Sequence, residues 1–270
     1  MKPFLKWAGG KYRLLDILKS HFPQGKRFVE PFLGSGAVSL NVDYPEILAG
    51  DVNPALIGLW QTLQSKQIEF INSCKELFDP RYNTIEEYNR LREEFNTDTD
   101  TDVEHRSCLF IYLNRHGFNG LCRFNKSGKF NVPFGRYTRP YFPERELLHA
   151  LEVSKRMDII HNNFQSVFDD VREGDVVYAD PPYVPLTPTA SFTSYSADGF
   201  GMDEQLKLVH CVHAAKLVGA TVIVSNHDTP ITRDLYKNAD EIHTLQVQRN
   251  ISCNGAKREK VAELIAVFKP

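Results

Sequence analysis

The chain has 270 residues, of which 42% are hydrophobic and 24% are charged, and its formal net charge is -2. This length and composition allow a sizeable core and exclude a wholly disordered chain. Because the net charge is close to zero, a nucleic-acid partner would have to be held by a local basic face.

Cysteine usage and hydropathy indicate the compartment. The five cysteines are scattered and form no Cys-x-x-Cys pair, which is typical of a reduced, cytoplasmic protein without a zinc cluster. The N-terminus has no apolar signal core, and no apolar run approaches the length of a membrane span. We therefore expect a cytoplasmic monomer with no membrane partner and no metal.

The N-terminal element comprises residues 4–11, FLKWAGGK, and a helix is predicted over residues 11–21. Its glycine pair allows positive φ angles and close approach of a ligand. The pattern Gly-Gly-Lys is similar to a phosphate loop, but the upstream glycine and the following Ser or Thr are missing. We interpret the segment as a cap on a ligand pocket, with Trp7 and Lys11 pointing inward.

A glycine turn follows the first predicted strand, which covers residues 28–32. The turn contains Gly34 and Gly36, and a second strand is predicted over residues 47–51. This is half of a nucleotide-binding βαβ unit, although Ser39 replaces the third small residue of the dinucleotide pattern. Asp51, at the end of the second strand, is placed to accept hydrogen bonds from ribose hydroxyls. A nucleoside without phosphates, such as S-adenosylmethionine, therefore fits better than NAD.

Helices are predicted over residues 54–96, in two or three amphipathic segments. A polar link, NTDTDTD, follows at residues 96–102. Its alternating aspartates are similar to a calcium loop, but the glycine and glutamate that such a loop needs are absent. We interpret the link as a solvated connection that caps the next helix.

The segment 105–143 is strongly basic. It holds seven Lys or Arg residues, no Asp or Glu, and nine interleaved aromatic residues. Such a segment should present a positive surface to phosphates, with guanidinium groups available for base edges. A turn at residues 125–129 lies between short extended runs, so we predict a β-ribbon there. The alternative interpretation is a solvated basic face over a small aromatic core.

From about residue 144 the alternation of strands and helices resumes. Strands are predicted at 158–161, 175–179, 220–225, 241–247 and 261–268, and helices near 145–156, 203–217 and 230–237. The basic segment is therefore an insertion into one α/β domain.

The sequence Asp180-Pro181-Pro182-Tyr183 follows the buried strand at 175–179, where open α/β sheets place their ligand crevice. The prolines end the strand and make a stiff turn. The Asp180 carboxylate and the carbonyls of Pro181 and Pro182 are acceptors, and Tyr183 offers a flat ring. This combination suits an amino group on an aromatic ring, such as that of adenine or cytosine.

Several other features have weaker functional signals. The loop 184–201 is a candidate lid or substrate clamp. Residues 225–228, SNHD, resemble a hydrolase triad, but adjacent residues cannot converge on one centre, so we reject that interpretation. His210 and His213 share a helix face without a third ligand, which disfavours a metal site. Residues 249–258 form a second basic turn that could touch phosphates.

The chain resembles the Dam-type DNA adenine-N6 methyltransferases in three segments taken together. They are residues 4–11, the motif EPFxGxG at residues 30–36 and the motif DPPY at residues 180–183. The resemblance covers nearly the whole chain. It implies a Rossmann-like, seven-stranded methyltransferase sheet with an inserted, mainly helical DNA-recognition domain that bears the β-ribbon. We accordingly assign residues 1–53 and 145–270 to the catalytic domain, and residues 54–144 to the DNA-recognition domain. It also implies S-adenosylmethionine as the donor, double-stranded DNA containing GATC as the partner, and a bacterial cell or a phage-infected host as the setting.

The resemblance also assigns roles to individual residues. The catalytic residues would be Asp180, Pro181, Pro182 and Tyr183. The cofactor-binding residues would be Trp7, Lys11, Phe32, Gly34, Gly36, Asp51, Asn163, Phe164 and Asp180. The DNA-binding residues would be Lys6, Phe118, Asn119, Leu121, Arg123, Asn125, Pro133 and Arg136, with Phe118 as a wedge in the duplex, and we add Arg115 because it lies in the basic segment. His116 stands where the family usually has Tyr.

Other functions share some of these features. An RNA adenine-N6 or DNA cytosine-N4 methyltransferase would need the same acceptor turn. A catalytically dead DNA-binding regulator could use the same fold, although the intact Asp180 argues against it. A dehydrogenase is disfavoured by Ser39 and by the basic insertion.

Overall fold

The computed structural model describes residues 1–97, 102–125, 127–184, 200–248 and 260–270. The strands are Arg27–Glu30 (β1), Glu46–Asp51 (β2), Met157–His161 (β3), Val176–Ala179 (β4), Thr221–His227 (β5), Glu241–Gln248 (β6) and Lys260–Phe268 (β7). They form one seven-stranded sheet in the order β3-β2-β1-β4-β5-β7-β6. The predicted α/β class and the expected seven-stranded sheet are confirmed.

The centre of the sheet is parallel and one edge is antiparallel. Strand β1 pairs in parallel with β2 and β4, and β4 pairs in parallel with β5. Strand β7 runs antiparallel to β5 and β6. Every residue of β1 and β4 is buried, as expected for central parallel strands. The strand order reverses between β1 and β4, so their carboxyl ends mark the switch point where α/β sheets bind ligands.

The helices follow the predicted pattern, with some differences at their ends. They are Leu15–Lys19 (α1), Pro54–Glu76 (α2), Ile85–Thr97 (α3), Val103–His116 (α4), Glu144–Ser154 (α5), Phe164–Asp169 (α6), Met202–Leu217 (α7) and Pro230–Leu235 (α8). The helix predicted over residues 11–21 consists of a 3-10 turn, Lys11–Leu14, followed by α1. Helix α2 is interrupted at Gln67, where φ is 52°.

Two compact units can be distinguished along the chain. The first unit comprises Met1–Leu15, Leu33–Asp43 and Asp51–His161, and the second comprises Asp16–Phe32, Tyr44–Gly50 and Asn162–Pro270. This division groups residues that pack together into one compact unit. The division of the chain at residues 54 and 144 into catalytic and DNA-recognition domains is functional and remains a prediction.

In the first unit, the helices enclose an aromatic core. Helix α2 packs against α4, and α3 also packs against α4. Phe95 on α3 stacks on Phe110 of α4 with ring centroids 5.7 Å apart, and Phe124 and Phe130 of the basic segment contact Phe95 at 6.4 and 6.0 Å. The aromatic residues that interleave the basic ones therefore fasten the basic segment to the helices.

The predicted β-ribbon is reduced to a turn with isolated bridges. Among the described residues of the segment, Phe124 bridges Phe130 and Gly117 bridges Phe134, without a continuous ladder. The Asn125 side chain closes the turn by accepting hydrogen bonds from the backbone N–H groups of Ser127 and Lys129, at 3.0 and 2.9 Å. The backbone N–H of Phe130 donates to the Asn96 side chain and not to a ribbon partner.

A buried ion pair anchors the start of β1 in the second unit. The Arg27 guanidinium contacts Asp175 Oδ2 at 2.6 Å and Asp170 Oδ2 at 3.1 Å. The hydrogen bonds to Asp175, and to a smaller extent to Asp170, raise the pKa of Arg27 above its ordinary value. Removing one partner of such a buried pair typically costs about 3–5 kcal/mol, because the other charge is left buried.

Parts of four sequence features lie outside the described residues. They are most of the polar link at 96–102, Lys126 of the basic segment, most of the loop 184–201 and the basic turn 249–258. Within the portion that is described, no helix has both the length and the apolarity needed to cross a bilayer.

Candidate active site

The acceptor turn begins where β4 ends, at Ala179. Asp180 is half-buried, and its Oδ1 accepts a 2.7 Å hydrogen bond from the Ser225 hydroxyl. The Ser225 oxygen lies 2.9 Å from the hydroxyl of Tyr178. Tyr178 and Ser225 are buried side chains of the paired strands β4 and β5. The Asp180 carboxylate, which was predicted from the sequence, is therefore fixed by a hydrogen bond from the adjacent strand β5.

Tyr183 is fixed at both its hydroxyl and its ring. The hydroxyl donates to Glu263 Oε2 at 3.1 Å, and the ring meets His227 edge-on, with centroids 4.8 Å apart. Burial and the nearby Asp180 charge raise the pKa of Tyr183 well above its ordinary value. Its hydroxyl therefore stays protonated, and the neutral ring offers a face for stacking.

The backbone after Asp180 is held by side chains of β5 and α7. The Gln205 side chain donates to the Pro182 carbonyl at 2.8 Å. Asn226 Oδ1 accepts from the Val184 N–H at 3.0 Å, and His227 Nδ1 lies 2.7 Å from the Val184 carbonyl. The Pro182 carbonyl, predicted as an acceptor for a ligand, is thus engaged by the protein itself.

Residues 225–227 are functional candidates that the sequence pattern did not indicate. In the sequence they resemble only part of a hydrolase triad, whereas in the structure their side chains support the acceptor turn. A usable signal was their position at the carboxyl end of β5, the neighbour of β4. Polar side chains at adjacent strand ends meet at one edge of a parallel sheet.

An aromatic cluster lies beyond the end of β1 in the same unit. Phe32 stacks on Phe164 with centroids 5.4 Å apart and an interplanar angle of 24°. Phe200 contacts Phe32 at 5.7 Å and Phe164 at 5.6 Å. Asn163 is exposed and caps α6, because its Oδ1 accepts from the Ser166 N–H at 3.0 Å. The cluster could cover a flat heterocycle, and Phe200 is a member that the sequence did not indicate.

In the first unit, Asp51 is fixed by backbone donors. The Gly34 N–H donates to Asp51 Oδ2 at 3.0 Å, and the Asn53 N–H donates to Oδ1 at 2.9 Å. Burial raises the pKa of Asp51 above its ordinary value, and these donated bonds oppose the rise. Each carboxylate oxygen has more than one acceptor position, so Asp51 could also accept bonds from a pair of hydroxyls.

The glycine turn is packed tightly against two indole rings. A side chain at Gly34, where φ is 50°, would place its Cβ 3.0 Å from Trp7 Nε1. At Gly36, where φ is 68°, a Cβ would lie 2.8 Å from Trp60. Lys11 is buried, and its ammonium group donates to the Gly9 carbonyl at 2.9 Å. The structure thus brings Trp7, Gly34 and Asp51 together within the first unit.

Most of the predicted DNA-binding residues are exposed. Phe118 is 49% exposed, and its backbone N–H donates to the Pro133 carbonyl at 2.8 Å. Arg123 is exposed, with its Nε donating to Asn131 Oδ1 at 2.7 Å. The other exposed members of the set are Lys6, Asn119, Asn125, Pro133 and Arg136, whereas Leu121 is half-buried.

Arg115 differs from the rest of that set. It is buried, and its guanidinium donates to the Phe4 carbonyl, at 3.1 Å from Nε, and lies over the Tyr141 ring at 5.6 Å. Burial lowers the pKa of Arg115 below its ordinary value. The geometry gives it an internal role, in place of an open phosphate contact. His116 is buried as well, stacked on Tyr112 with ring centroids 3.9 Å apart.

The Asn114 side chain clamps the N-terminal segment to the end of α4. Its Oδ1 accepts from the Lys6 N–H at 2.9 Å, and its Nδ2 donates to the Lys6 carbonyl at 2.8 Å. Lys6 Nζ lies 5.2 Å from the centroid of the Tyr137 ring. Gly120, just after Phe118, lies against the Lys6 side chain, since a Cβ there would be 2.0 Å from Lys6 Cδ. Sequence patterns gave no signal for this pairing.

Comparisons with known proteins agree with these features. The family model "D12 class N6 adenine-specific DNA methyltransferase" matches residues 7–251. A protein named DNA adenine methylase from Escherichia coli (strain K12) is 44% identical over 269 residues, covering 100% of this chain and 96% of that protein. Proteins of the same name from Salmonella typhi and Vibrio cholerae (strain El Tor Inaba N16961) are each 45% identical, with the same coverage.

Proposed function

Because this chain belongs to the D12 class of N6 adenine-specific DNA methyltransferases, we propose that it methylates adenine N6 within GATC of double-stranded DNA, with S-adenosylmethionine as the donor. The observation that carries the proposal is the acceptor turn. Its carboxylate is fixed at 2.7 Å by Ser225, and its aromatic ring is anchored by Glu263. The target sequence rests on the resemblance to GATC methyltransferases, and the bacterial or phage-infected cytoplasm is the proposed setting.

An adenine must leave the duplex before its amino group can reach a protein pocket. The exposed ring of Phe118 would fill the gap left in the base stack and offset part of the lost stacking. The flipped base would stack on Tyr183, whose orientation is set by its contacts with Glu263 and His227.

Asp180 and the Pro181 carbonyl would accept the two N–H groups of the adenine amine. The lone pair of that nitrogen is delocalised into the ring, so it is a poor nucleophile. Hydrogen bonds at both N–H groups favour a tetrahedral nitrogen and direct its lone pair away from the ring. The nitrogen would take the methyl group as the donor sulfur leaves as a neutral thioether, and the surplus amine proton would pass along the hydrogen bond to the Asp180 carboxylate and from there to water. Positioning and electrostatics carry the catalysis.

In each unit separately, the residues assigned to the donor are of types that suit part of a nucleoside, and a sulfonium on that donor would supply an electrophilic methyl group. Asp51, held by the Gly34 and Asn53 amides, suits ribose hydroxyls. Phe32 and Phe164 offer flat apolar faces for the base. The absence of a Cβ at Gly34 lets the Trp7 indole pack directly against the glycine turn.

The test is methyl transfer to defined oligonucleotides with radiolabelled donor. Duplexes carrying GATC should be labelled at adenine, and a duplex with the two central bases exchanged should not. Plasmid treated with the protein should then resist an enzyme that cuts only unmethylated GATC. Label found in cytosine would identify a DNA cytosine-N4 methyltransferase instead, and label in a matched RNA would identify an RNA adenine-N6 methyltransferase. Binding of donor and DNA without methyl transfer would identify a non-catalytic regulator.

A further inference from the structure

We propose that Ser225, itself oriented by Tyr178, is a positioning residue that sets the plane of the Asp180 carboxylate for methyl transfer. The inference rests on the proposed function, because it concerns how the acceptor carboxylate meets the adenine amine. It arises from the register of two strands and from a chain of two hydrogen bonds.

The register of the sheet brings the three side chains together. In the β4–β5 pair, Tyr178 is opposite Ile223 and Ala179 is opposite Val224. One step further along both chains, Asp180 comes opposite Ser225. Since side chains two residues apart in a strand point to the same face, Tyr178 and Asp180 share the face on which Ser225 lies.

The direction of the hydrogen bonds follows from their chemistry. An ionised carboxylate has no hydrogen to give, so Ser225 donates to Asp180 Oδ1. Ser225 has only one hydroxyl proton, and that proton is used. In the 2.9 Å contact with Ser225, Tyr178 is therefore the donor. The chain of donors runs from Tyr178 to Ser225 to Asp180.

Burial makes this chain rigid. Tyr178 is 0% exposed and Ser225 is 2% exposed, so bulk water does not compete for their bonds. A bond to Oδ1 removes the rotational freedom of the carboxylate about its terminal bond, and thereby fixes the position of Oδ2. The amine of a flipped base would meet an acceptor whose direction is set before the base arrives.

Single-turnover methylation of a GATC duplex measures the effect of the chain. Ser225→Ala should slow the chemical step about 10- to 100-fold, by analogy with the loss seen when a partner that orients a metal-ligating side chain is removed. Tyr178→Phe should slow it about 2- to 10-fold, since one neutral hydrogen bond is lost. The variants should keep the dissociation constants for donor and DNA, and the fluorescence of 2-aminopurine at the target position, within about twofold of wild type. A lower rate with unchanged binding would show that the residues position the carboxylate and do not bind the substrates.

Three further variants distinguish positioning from a merely structural role. Ser225→Thr keeps the hydroxyl and should recover most of the rate. In the Ser225→Ala background, Tyr178→Phe should have no additional effect, because Tyr178 acts through Ser225. Ser154→Ala removes another buried hydroxyl, which bonds to the Leu151 carbonyl at 2.8 Å, and should leave the rate unchanged.

A normal rate for Ser225→Ala, or fully additive effects of the two substitutions, would overturn the inference. So would a rate loss that merely tracks weaker DNA binding or a lower melting temperature. These outcomes leave the proposed function intact, because that function stands or falls with adenine methylation by the wild-type protein in the same assay.

Discussion

The hydroxyl of Tyr183 donates a 3.1 Å hydrogen bond to Glu263 Oε2, so strand β7 anchors the aromatic ring that follows the acceptor carboxylate. The carboxylate itself is anchored from β5. Because β5 and β7 are neighbours in the sheet, two adjacent strands support the two groups that would hold the target base.

Replacing Tyr183 with Ala should weaken capture of the flipped adenine. Stacking of a base on an aromatic side chain contributes about 1–3 kcal/mol, which corresponds to about a 5- to 150-fold effect. Tyr183→Phe is the matched control. It keeps the stacking face and loses the hydroxyl, including its bond to Glu263 and its hydrogen bond with Ser225, so its effect should be below about tenfold. Turnover and 2-aminopurine fluorescence report both changes, and equal effects of Ala and Phe would contradict the stacking role.

Asp180→Ala should fold and bind donor and DNA, but lose turnover. The turnover rate should fall about 100- to 1000-fold or more, the loss seen when a preorganised group that stabilises charge in the transition state is removed. Asp180→Asn is the informative companion, because it preserves shape while replacing one acceptor oxygen with a donor. Near-normal methylation by the Ala variant, in protein with a wild-type melting temperature, would refute the assignment.

Arg123 and Arg136 should respond differently to truncation. Arg123→Ala should relax base choice at one position of the site, at a cost of about 1–3 kcal/mol. Arg136→Ala should weaken binding about uniformly across sequences and reduce the salt slope by about 1. Titrations against GATC and single-substitution duplexes at several salt concentrations measure both. Uniform weakening by Arg123→Ala would mark that residue as a phosphate contact.

Gly120→Ala should disturb the contact between Lys6 and the recognition segment. A Cβ at Gly120 would lie 2.0 Å from Lys6 Cδ, and φ there is 62°. Gly128→Ala is the matched control, because φ is 73° and no atom lies within 4 Å of the added Cβ. Overpacking costs about 1–3 kcal/mol beyond the shared backbone strain. Chemical denaturation should therefore show a larger loss for Gly120→Ala, and equal losses would mean that Lys6 moves aside freely.

His116 should make the fold sensitive to mild acid. Burial lowers the pKa of His116 from 6.5 to about 4, so the folded protein keeps it neutral. In the unfolded chain this histidine binds a proton near pH 6.5, and in the folded protein it does so only near pH 4. The contribution of the neutral His116 to the free energy of unfolding is therefore complete above pH 6.5 and is lost as the pH falls towards 4. The loss is at most about 3 kcal/mol. Unfolding free energies at pH 7 and pH 5 should differ less in His116→Gln than in wild type; an unchanged difference would exclude this origin.

The sheet was accessible from sequence because its signal is local. Short β-branched runs such as Val176–Ala179 predict buried strands, and an acid with two prolines predicts where β4 ends. The predicted strand positions overlap the observed ones throughout. The glycine turn and Asp51 were likewise found from their spacing, and the structure brings Gly34 and Asp51 within 3.0 Å.

The supporting contacts were not accessible, because each depends on a distant partner. Ser225 bonds a residue 45 positions away, and only the β4–β5 register identifies it. Arg115 was assigned to DNA because it lies in a basic segment, yet its partner is the carbonyl of Phe4. The ribbon was overestimated because extended aromatic runs also occur where the rings turn inward, as Phe124 and Phe130 do.

The clamp between Asn114 and Lys6 has a consequence for engineering target specificity. Transplanting residues 54–144 from a relative would replace Asn114 and Gly120 but keep their partner, Lys6, in the first ten residues. Such a chimera would combine a recognition segment and an N-terminal segment from two different proteins. Exchanging residues 1–8 together with the recognition segment keeps the pair matched, and is the graft boundary that this fold favours.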